Sequence, residues 1–181
     1  MKAIRFLLVS LFVFSVSITN VVAAEKPGKN SVINQSYLQA QEEVLETFLA
    51  MGEAIVAGAG GGYDGEFMDQ LISFHAYGPK FTEFNEGHLK DSAGNEHYER
   101  LVFGEVVNQG GVKQFDAIPG TLEIAVYYGN VANLTFISDF KLEMGDQETT
   151  INNLITLLFV KTKGEWKIVH EHHSPADMTS Q

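Results

Sequence analysis

The segment Gly164-Glu-Trp-Lys-Ile-Val-His-Glu-His-His-Ser-Pro175 alternates apolar and polar residues with a period of two, which predicts a β-strand. In a regular strand, five side chains would share one face: Trp166, Ile168, His170, His172 and Ser174. The first two are apolar and the others are polar. We therefore expect this strand to border a functional site.

The same period-two pattern extends upstream to residue 121 and is interrupted by three tight turns. The turns are Gly129-Asn130, Gly145-Asp146 and Lys163-Gly164, each of a type that connects hairpin strands. They predict a four-stranded meander over residues 122–128, 131–144, 147–161 and 166–174. Pro175 lacks the N–H that would continue the ladder.

Helical spacing of apolar residues precedes the meander. It predicts a long helix over residues 36–57, a short one over 64–73 capped by Asp64, and a third over 96–108. Phe81-Thr-Glu-Phe84 is expected to form a short strand, and the run Gly58-Ala-Gly-Gly-Gly62 a flexible connector, since it lacks the lysine of a phosphate-binding loop. Helices followed by a meander indicate an α+β domain, with one curved antiparallel sheet packed on the N-terminal helices.

Two-residue turns fix the register of the hairpins. The Gly145-Asp146 turn predicts that Phe136 faces Ile155 and that Ser138 faces Asn153. The Lys163-Gly164 turn predicts these pairs: Phe159 with Ile168, Leu157 with His170, Ile155 with His172, and Asn153 with Ser174. The helix-covered face would then be apolar except for one polar patch. A one-residue bulge would move the histidines to the opposite face.

That patch is the predicted ligand-binding site, because an apolar cavity with a few convergent polar groups is typical of small-molecule sites. Its predicted residues, with two tyrosines from the upstream segments, are Ser138, Asn153, His170, His172, Ser174, Tyr77 and Tyr98. A fully satisfied buried network is the alternative. The opposite face carries enough apolar residues, including Ile137, Leu154 and Leu158, to predict a homodimer through the sheet.

The composition of the chain indicates where the protein is located and which partners it can bind. Residues 1–24 have the charged start, short apolar run and small-residue end of a secretory signal peptide, so we expect a periplasmic or secreted protein. Without Lys2 and Arg5, 10 basic residues face 23 acidic ones, which makes nucleic acid and membrane surfaces poor partners. Cysteine is absent, so no disulfide is expected. Residues 25–35 are predicted to be a flexible leader, 36–175 a single domain and 176–181 a tail.

The closing segment Trp166-Lys-Ile-Val-His-Glu-His-His-Ser174 has the form W-x-x-V-H-x-H-x-S. It resembles the closing strand of the association domain of calcium/calmodulin-dependent protein kinase II and its bacterial SnoaL-like relatives in the nuclear transport factor 2-like superfamily. The resemblance extends to Phe81-Thr-Glu-Phe84, to His97-Tyr98 and to the order of the elements, and covers residues 36–175.

The resemblance implies a cystatin-like, nuclear transport factor 2-like cone, with a pocket at its wide end and self-association through the sheet. Members of this superfamily include isomerases, dehydratases, cyclases and non-catalytic binding domains, so the fold alone selects no reaction. The kinase association domain has arginines in its pocket. Here Leu157 occupies the matching position, and Arg100 is the only arginine after the signal, so an anionic ligand held by arginine is not expected.

Two functions from different classes follow. One is binding of a small, mostly apolar ligand, or assembly, without catalysis. The other is a cofactor-independent isomerase or lyase with His170 or His172 as general base, and Tyr77, Tyr98 or Ser138 stabilising charge on a carbonyl oxygen. The predicted face carries no carboxylate, because Glu171 falls on the other side. Binding is therefore favoured.

A metal site would need a third ligand beside His170 and His172, because zinc normally takes three protein ligands. His75, His88 or His97 would have to supply it from a loop or helix. We accordingly expect no metal and no other cofactor.

Overall fold

The computed structural model describes residues 35–178, which belong to one compact unit. The predicted signal peptide and nearly all of the predicted leader lie outside the described residues. No helix within residues 35–178 is both long and apolar enough to cross a membrane.

Three helices precede most of the sheet. Helix α1 spans Leu38–Gly58, α2 spans Glu66–Ser73, and α3 spans Ser92–Glu99. Asp91 caps helix α3, because its side chain accepts a hydrogen bond from Gly94 N. The chain continues from α3 as a π-helix over Arg100–Val106. The predicted capping of α2 by Asp64 is wrong, because Gly65 precedes the first turn and no side chain caps it.

Eight strands form the sheet: β1 Thr82–Asn85, β2 His88–Lys90, β3 Val112–Ala117, β4 Glu123–Tyr127, β5 Val131–Met144, β6 Gln147–Ile151, β7 Asn153–Thr162 and β8 Glu165–Pro175. Their order is β2-β1-β8-β7-β5-β3, and β4 and β6 also pair with β5. The α+β class and the predicted meander are confirmed. The sheet is not wholly antiparallel, since β1 runs parallel to β8.

The core lies between α1 and the inner face of the sheet. Val44, Phe48 and Met51 follow helical spacing and are buried. The rings of Phe48 and Phe136 meet edge to face, with centroids 4.9 Å apart. Burying a side chain of this size stabilises the fold by roughly 1.5–3 kcal/mol, so this stripe holds the helix against the sheet.

The glycine run after α1 packs against the π-helix through backbone hydrogen bonds. Gly60 N donates to Phe103 O at 2.8 Å, and Gly62 N donates to Gly104 O at 2.8 Å. A Cβ on Gly104 would lie 2.7 Å from Gly62 O, so only glycine permits this approach. The segment predicted to be a flexible connector instead fixes the π-helix in place.

The register of the first long hairpin is confirmed. Phe140 pairs with Ile151 in β6, and Phe136 pairs with Ile155 in β7. The second hairpin follows the prediction only as far as Phe159 with Ile168, because a β-bulge at Val169 then shifts β8 by one residue. Beyond the bulge, the predicted register is wrong: Leu158 faces His170 and Leu157 faces Glu171.

Candidate functional site

The bulge at Val169 reverses which side chains of the following part of β8 face the interior. His170 and His172 lie on the outer face, with their ring centroids 6.4 and 6.2 Å from that of Phe84. Glu171 and His173 face inward instead. The structure thus corrects the expected placement of all three histidines.

The other predicted site residues are also accounted for within the fold. The Ser138 hydroxyl donates to Ile151 O at 3.2 Å and accepts from Asn153 N at 2.9 Å, closing the gap between β6 and β7. Ser174 is paired with Leu154, and the Tyr98 ring lies under Lys90 Nζ, 4.0 Å from its centroid. The structure brings Ser138 and Asn153 together as expected. It brings neither of them to the histidines.

A cavity of about 50 Å³ lies between α1, α2, the π-helix and the sheet. Its apolar walls are Met51, Ile55, Leu71, Phe103, Phe115, Phe136, Ile155 and Leu157. Its polar groups are His75, Glu99, Glu171 and His173. None of the seven predicted ligand-binding residues, all of which the structure describes, lines this cavity. An apolar cavity with a few convergent polar groups is therefore present, but its lining residues are not the predicted ones.

Glu171 holds the two inner histidines. His75 Nε2 lies 2.6 Å from Glu171 Oε1, and His173 Nε2 lies 3.0 Å from Glu171 Oε2. His75 Nδ1 also lies 3.1 Å from Leu71 O, at the end of α2. Each carboxylate oxygen of Glu171 therefore orients one imidazole.

Charge within this cluster shifts its protonation. Burial alone would raise the pKa of Glu171, but the neighbouring His75 and His173 lower it well below its usual range. Burial alone would lower the pKa values of both histidines, but the Glu171 carboxylate raises them above the ordinary value. Glu171 is therefore the ionised centre of the cluster.

Glu99 is the carboxyl of the cavity without a hydrogen bond. It is the last residue of α3 and is only 8 % exposed. Its carboxyl forms no hydrogen bond within residues 35–178, and its oxygens are open to the cavity. Burial, reinforced by the Glu171 and Glu83 carboxylates, raises the pKa of Glu99 to about 8. It consequently carries a proton at neutral pH and can donate it to a bound molecule.

A second layer of side chains supports the inner histidines. The Tyr77 ring stacks on His75 with centroids 5.1 Å apart, and its hydroxyl donates to Asn95 Oδ1. Asn95 Nδ2 donates to Glu83 Oε2 at 3.0 Å, and Lys90 Nζ lies 3.1 Å from Glu83. Tyr77, a predicted ligand-binding residue, thus contacts the site from behind rather than from within the cavity.

Sequence reasoning missed Glu99, Glu83 and Asn95 and gave His75 only a conditional role. These residues come from α3, β1 and the link after α2, and only the tertiary fold brings them to β8. One local signal was available. Glu83 lies at the centre of Phe81-Thr-Glu-Phe84, where a charged residue between aromatic ones in a short strand indicates an inward polar group.

A family model described as a SnoaL-like domain matches residues 64–178, which include all of the cavity's polar residues. The chain belongs to the SnoaL-like family. No curated protein matches the sequence significantly. The family assignment confirms the resemblance inferred from the closing strand.

Solved structures with the same fold are distant in sequence. The SnoaL-like chain aligns with a protein from Xanthomonas campestris described as a candidate calcium/calmodulin-dependent protein kinase II association domain (TM-score 0.56, 14% identity, 75% of this chain and 87% of that one). It also aligns with a nuclear transport factor 2-like protein from Salmonella enterica (TM-score 0.61, 18% identity, 77% and 94%). A third is a candidate dehydratase of that family from Streptomyces avermitilis (TM-score 0.58, 17% identity, 78% and 99%). At these identities the comparisons show the fold.

Proposed function

We propose that this SnoaL-like domain binds a small, mostly apolar molecule in its cavity and transfers a proton to or from it through Glu99, as an isomerase or lyase. The observation that carries the proposal is a buried carboxyl, without a hydrogen bond, inside an apolar cavity. The carboxyl oxygens are open to the cavity, because no enclosed side-chain oxygen of the described residues lacks a hydrogen-bond partner. A ligand oxygen that enters the cavity would therefore meet this carboxyl.

The surroundings of Glu99 suit general acid–base chemistry. Its raised pKa of about 8 lies near ambient pH, where a group can both donate and accept a proton. Glu171, with its two imidazoles, supplies a fixed charged group in the same cavity. The sequence favoured binding over catalysis because no carboxylate was expected at the site. The cavity contains two, Glu99 and Glu171.

The size of the cavity limits the ligand. At roughly 10–15 Å³ for each water-sized occupant, a cavity of about 50 Å³ holds a group of a few atoms. The substrate is then either a very small molecule or one that inserts only its reactive carbonyl end. The Streptomyces avermitilis dehydratase-like neighbour supports this reaction class by fold only.

Exchange of α-hydrogens for deuterium in 2-butanone, followed by proton NMR in heavy water, tests the proposal. We expect the wild-type protein to accelerate exchange, Glu99→Gln to lose the acceleration, and Glu105→Gln, an exposed carboxyl on the π-helix, to retain it. Butanone binding by wild type and Glu99→Gln alike, without exchange, would instead support a binding domain. Equal exchange by wild type and Glu99→Gln would contradict the proposed role of Glu99.

We also propose that the outer face of the sheet forms a homodimer. Phe84 and Leu154 on this face are 47% and 45% exposed, and Ile137 and Leu158 lie beside them. The fold is shared with the Xanthomonas campestris protein described as a candidate association domain. Light scattering should give a dimer for the wild type and a monomer for Leu154→Glu, whereas Leu49→Glu on α1, a site that is 49% exposed, should remain dimeric. A wild-type monomer would contradict the dimer.

We further propose that the chain is exported and cleaved after Ala24. The support is the signal-like composition of residues 1–24, which lie outside the described part of the chain. N-terminal sequencing of protein from a periplasmic or culture fraction should begin at Glu25. Intact Met1 on cytoplasmic protein would contradict export.

A further inference from the structure

We propose that Glu83, Glu171 and His173 form a binding site for one divalent transition-metal ion of the zinc kind, next to the polar end of the cavity. This goes beyond the proposed proton transfer. Ion binding can be measured without any organic ligand, so either proposal can fail while the other holds.

The backbone brings the three ligands together. Strands β1 and β8 run parallel, and Glu83 pairs directly with Glu171. One donor atom from each of Glu83, Glu171 and His173 lies within 4.8 Å of the other two. The 3.0 Å between His173 Nε2 and Glu171 Oε2 matches two adjacent ligands that are each about 2.0–2.2 Å from one zinc ion.

The carboxylates of this cluster already attract cationic side chains. Glu83, Glu99 and Glu171 are buried carboxyls, and Lys90 is the only ammonium paired with any of them among the described residues. A divalent ion would take over this compensation, because Lys90 would leave Glu83 and His173 would bind the ion as a neutral imidazole.

Glu99 is an independent indication of a ligand at this place. The residue is more than nine-tenths buried and lines the same cavity as Glu171 and His173. Its carboxyl forms no hydrogen bond within the described residues, and its oxygens are open to the cavity. An ion held by the other three residues would give this carboxyl a partner, either directly or through a coordinated water.

Lys90 is the competitor. Its Nζ lies 3.1 Å from the Glu83 carboxylate and also over the Tyr98 ring, 4.0 Å from the centroid. Its side chain is partly exposed, so the ammonium can leave Glu83 while keeping its contact with the ring. Removing the ammonium should therefore strengthen ion binding.

The mixed donor set determines the class of ion. Imidazole nitrogen with carboxylate oxygen suits zinc and its neighbours in the transition series, whereas calcium and magnesium prefer oxygen ligands alone. Three protein ligands would leave a fourth coordination position for water or a ligand, as in catalytic zinc sites. Zinc chloride and calcium chloride are accordingly the matched probes.

Isothermal titration of the EDTA-treated, desalted full chain tests the site. We expect one zinc ion per chain and no calcium binding. His173→Asn should weaken zinc binding by at least about tenfold, and His172→Asn, an adjacent histidine on the outer face, should leave it unchanged. Lys90→Met should tighten it.

Absence of stoichiometric zinc binding by the folded wild type would overturn the proposal. Equal weakening by His172→Asn and His173→Asn would also do so, because it would show that the ion does not distinguish the inner histidine from the outer one. If His173→Asn does not fold, Lys90→Met decides the matter. Tighter binding supports the site, and unchanged or weaker binding refutes it.

Discussion

His75 Nε2 lies 2.6 Å from Glu171 Oε1, and this contact joins the link after α2 to strand β8. Both side chains are buried, and His173 binds the other oxygen of the same carboxylate. One carboxylate therefore connects two parts of the chain that lie 96 residues apart. Because Glu171 is ionised and enclosed, its removal leaves two imidazoles without their acceptor.

Glu171→Gln should destabilise the fold by about 3 kcal/mol, the cost of removing one partner from a buried ion pair. Urea denaturation monitored by Trp166 fluorescence measures this loss. Glu165→Gln, on the exposed start of the same strand, should leave the denaturation midpoint unchanged. Equal midpoints for wild type and Glu171→Gln would show that the contact does not stabilise the fold.

Ser138→Ala tests whether the hydroxyl is structural. Its oxygen bridges Ile151 O and Asn153 N where β6 gives way to β7, so its loss leaves a buried backbone N–H without an acceptor. We expect a loss of about 1–3 kcal/mol in the free energy of unfolding. Ser174→Ala, a partly exposed site on β8, should change it by no more than about 0.5 kcal/mol. A ligand-binding role without a structural one would give the two variants the same stability.

The first hairpin could be predicted because its turn residues determine its register. Gly145 has φ 61°, which glycine adopts readily, and the two-residue loop that follows from Gly145-Asp146 sets every pair from Phe140 to Leu134. The second turn, at Lys163-Gly164, was equally recognisable and gave the correct pairs up to Ile168. Local chemistry thus accounts for most of the sheet.

The bulge at Val169 could not be predicted, because valine is a favourable residue in a regular strand and carries no signal for an irregularity. Its consequence is large, since side chains alternate and a shift of one residue exchanges the faces. The partners of Glu171 are also non-local: His75 and Glu83 become its neighbours only when α2 and β1 dock on β8. An apolar cavity with polar groups was therefore predictable from sequence, but the residues that line it were not.

Gly104→Ala should test the junction between the glycine run and the π-helix. A Cβ there would lie 2.7 Å from Gly62 O and 2.9 Å from Gly62 C, both backbone atoms that cannot rotate away. Overpacking of this kind costs about 1–3 kcal/mol, so the thermal midpoint should fall. At Gly78, a Cβ meets nothing within 4 Å, and Gly78→Ala should have a much smaller effect. Similar midpoints for the two variants would contradict the close approach.

The raised pKa of Glu99 predicts how stability depends on pH. In the unfolded chain Glu99 loses its proton near pH 4.5, whereas in the folded chain it retains it up to about pH 8. Between these values the folded state binds more protons than the unfolded state, so stability falls as pH rises and the full penalty is reached above pH 8. Glu99→Gln remains neutral at every pH and avoids this penalty.

Urea denaturation in metal-free buffer at pH 5 and pH 9 measures this effect. The free energy of unfolding of Glu99→Gln, relative to that of the wild type, should be higher at pH 9 than at pH 5. The difference in free energy of unfolding between variant and wild type should grow by at least about 1 kcal/mol from pH 5 to pH 9. A pKa shift of roughly one unit corresponds to this amount. Glu105→Gln, which changes an exposed carboxyl in the adjoining π-helix, should follow the wild type at both pH values. If the difference between Glu99→Gln and wild type stays constant from pH 5 to pH 9, Glu99 is ionised throughout and cannot be the proton donor of the cavity.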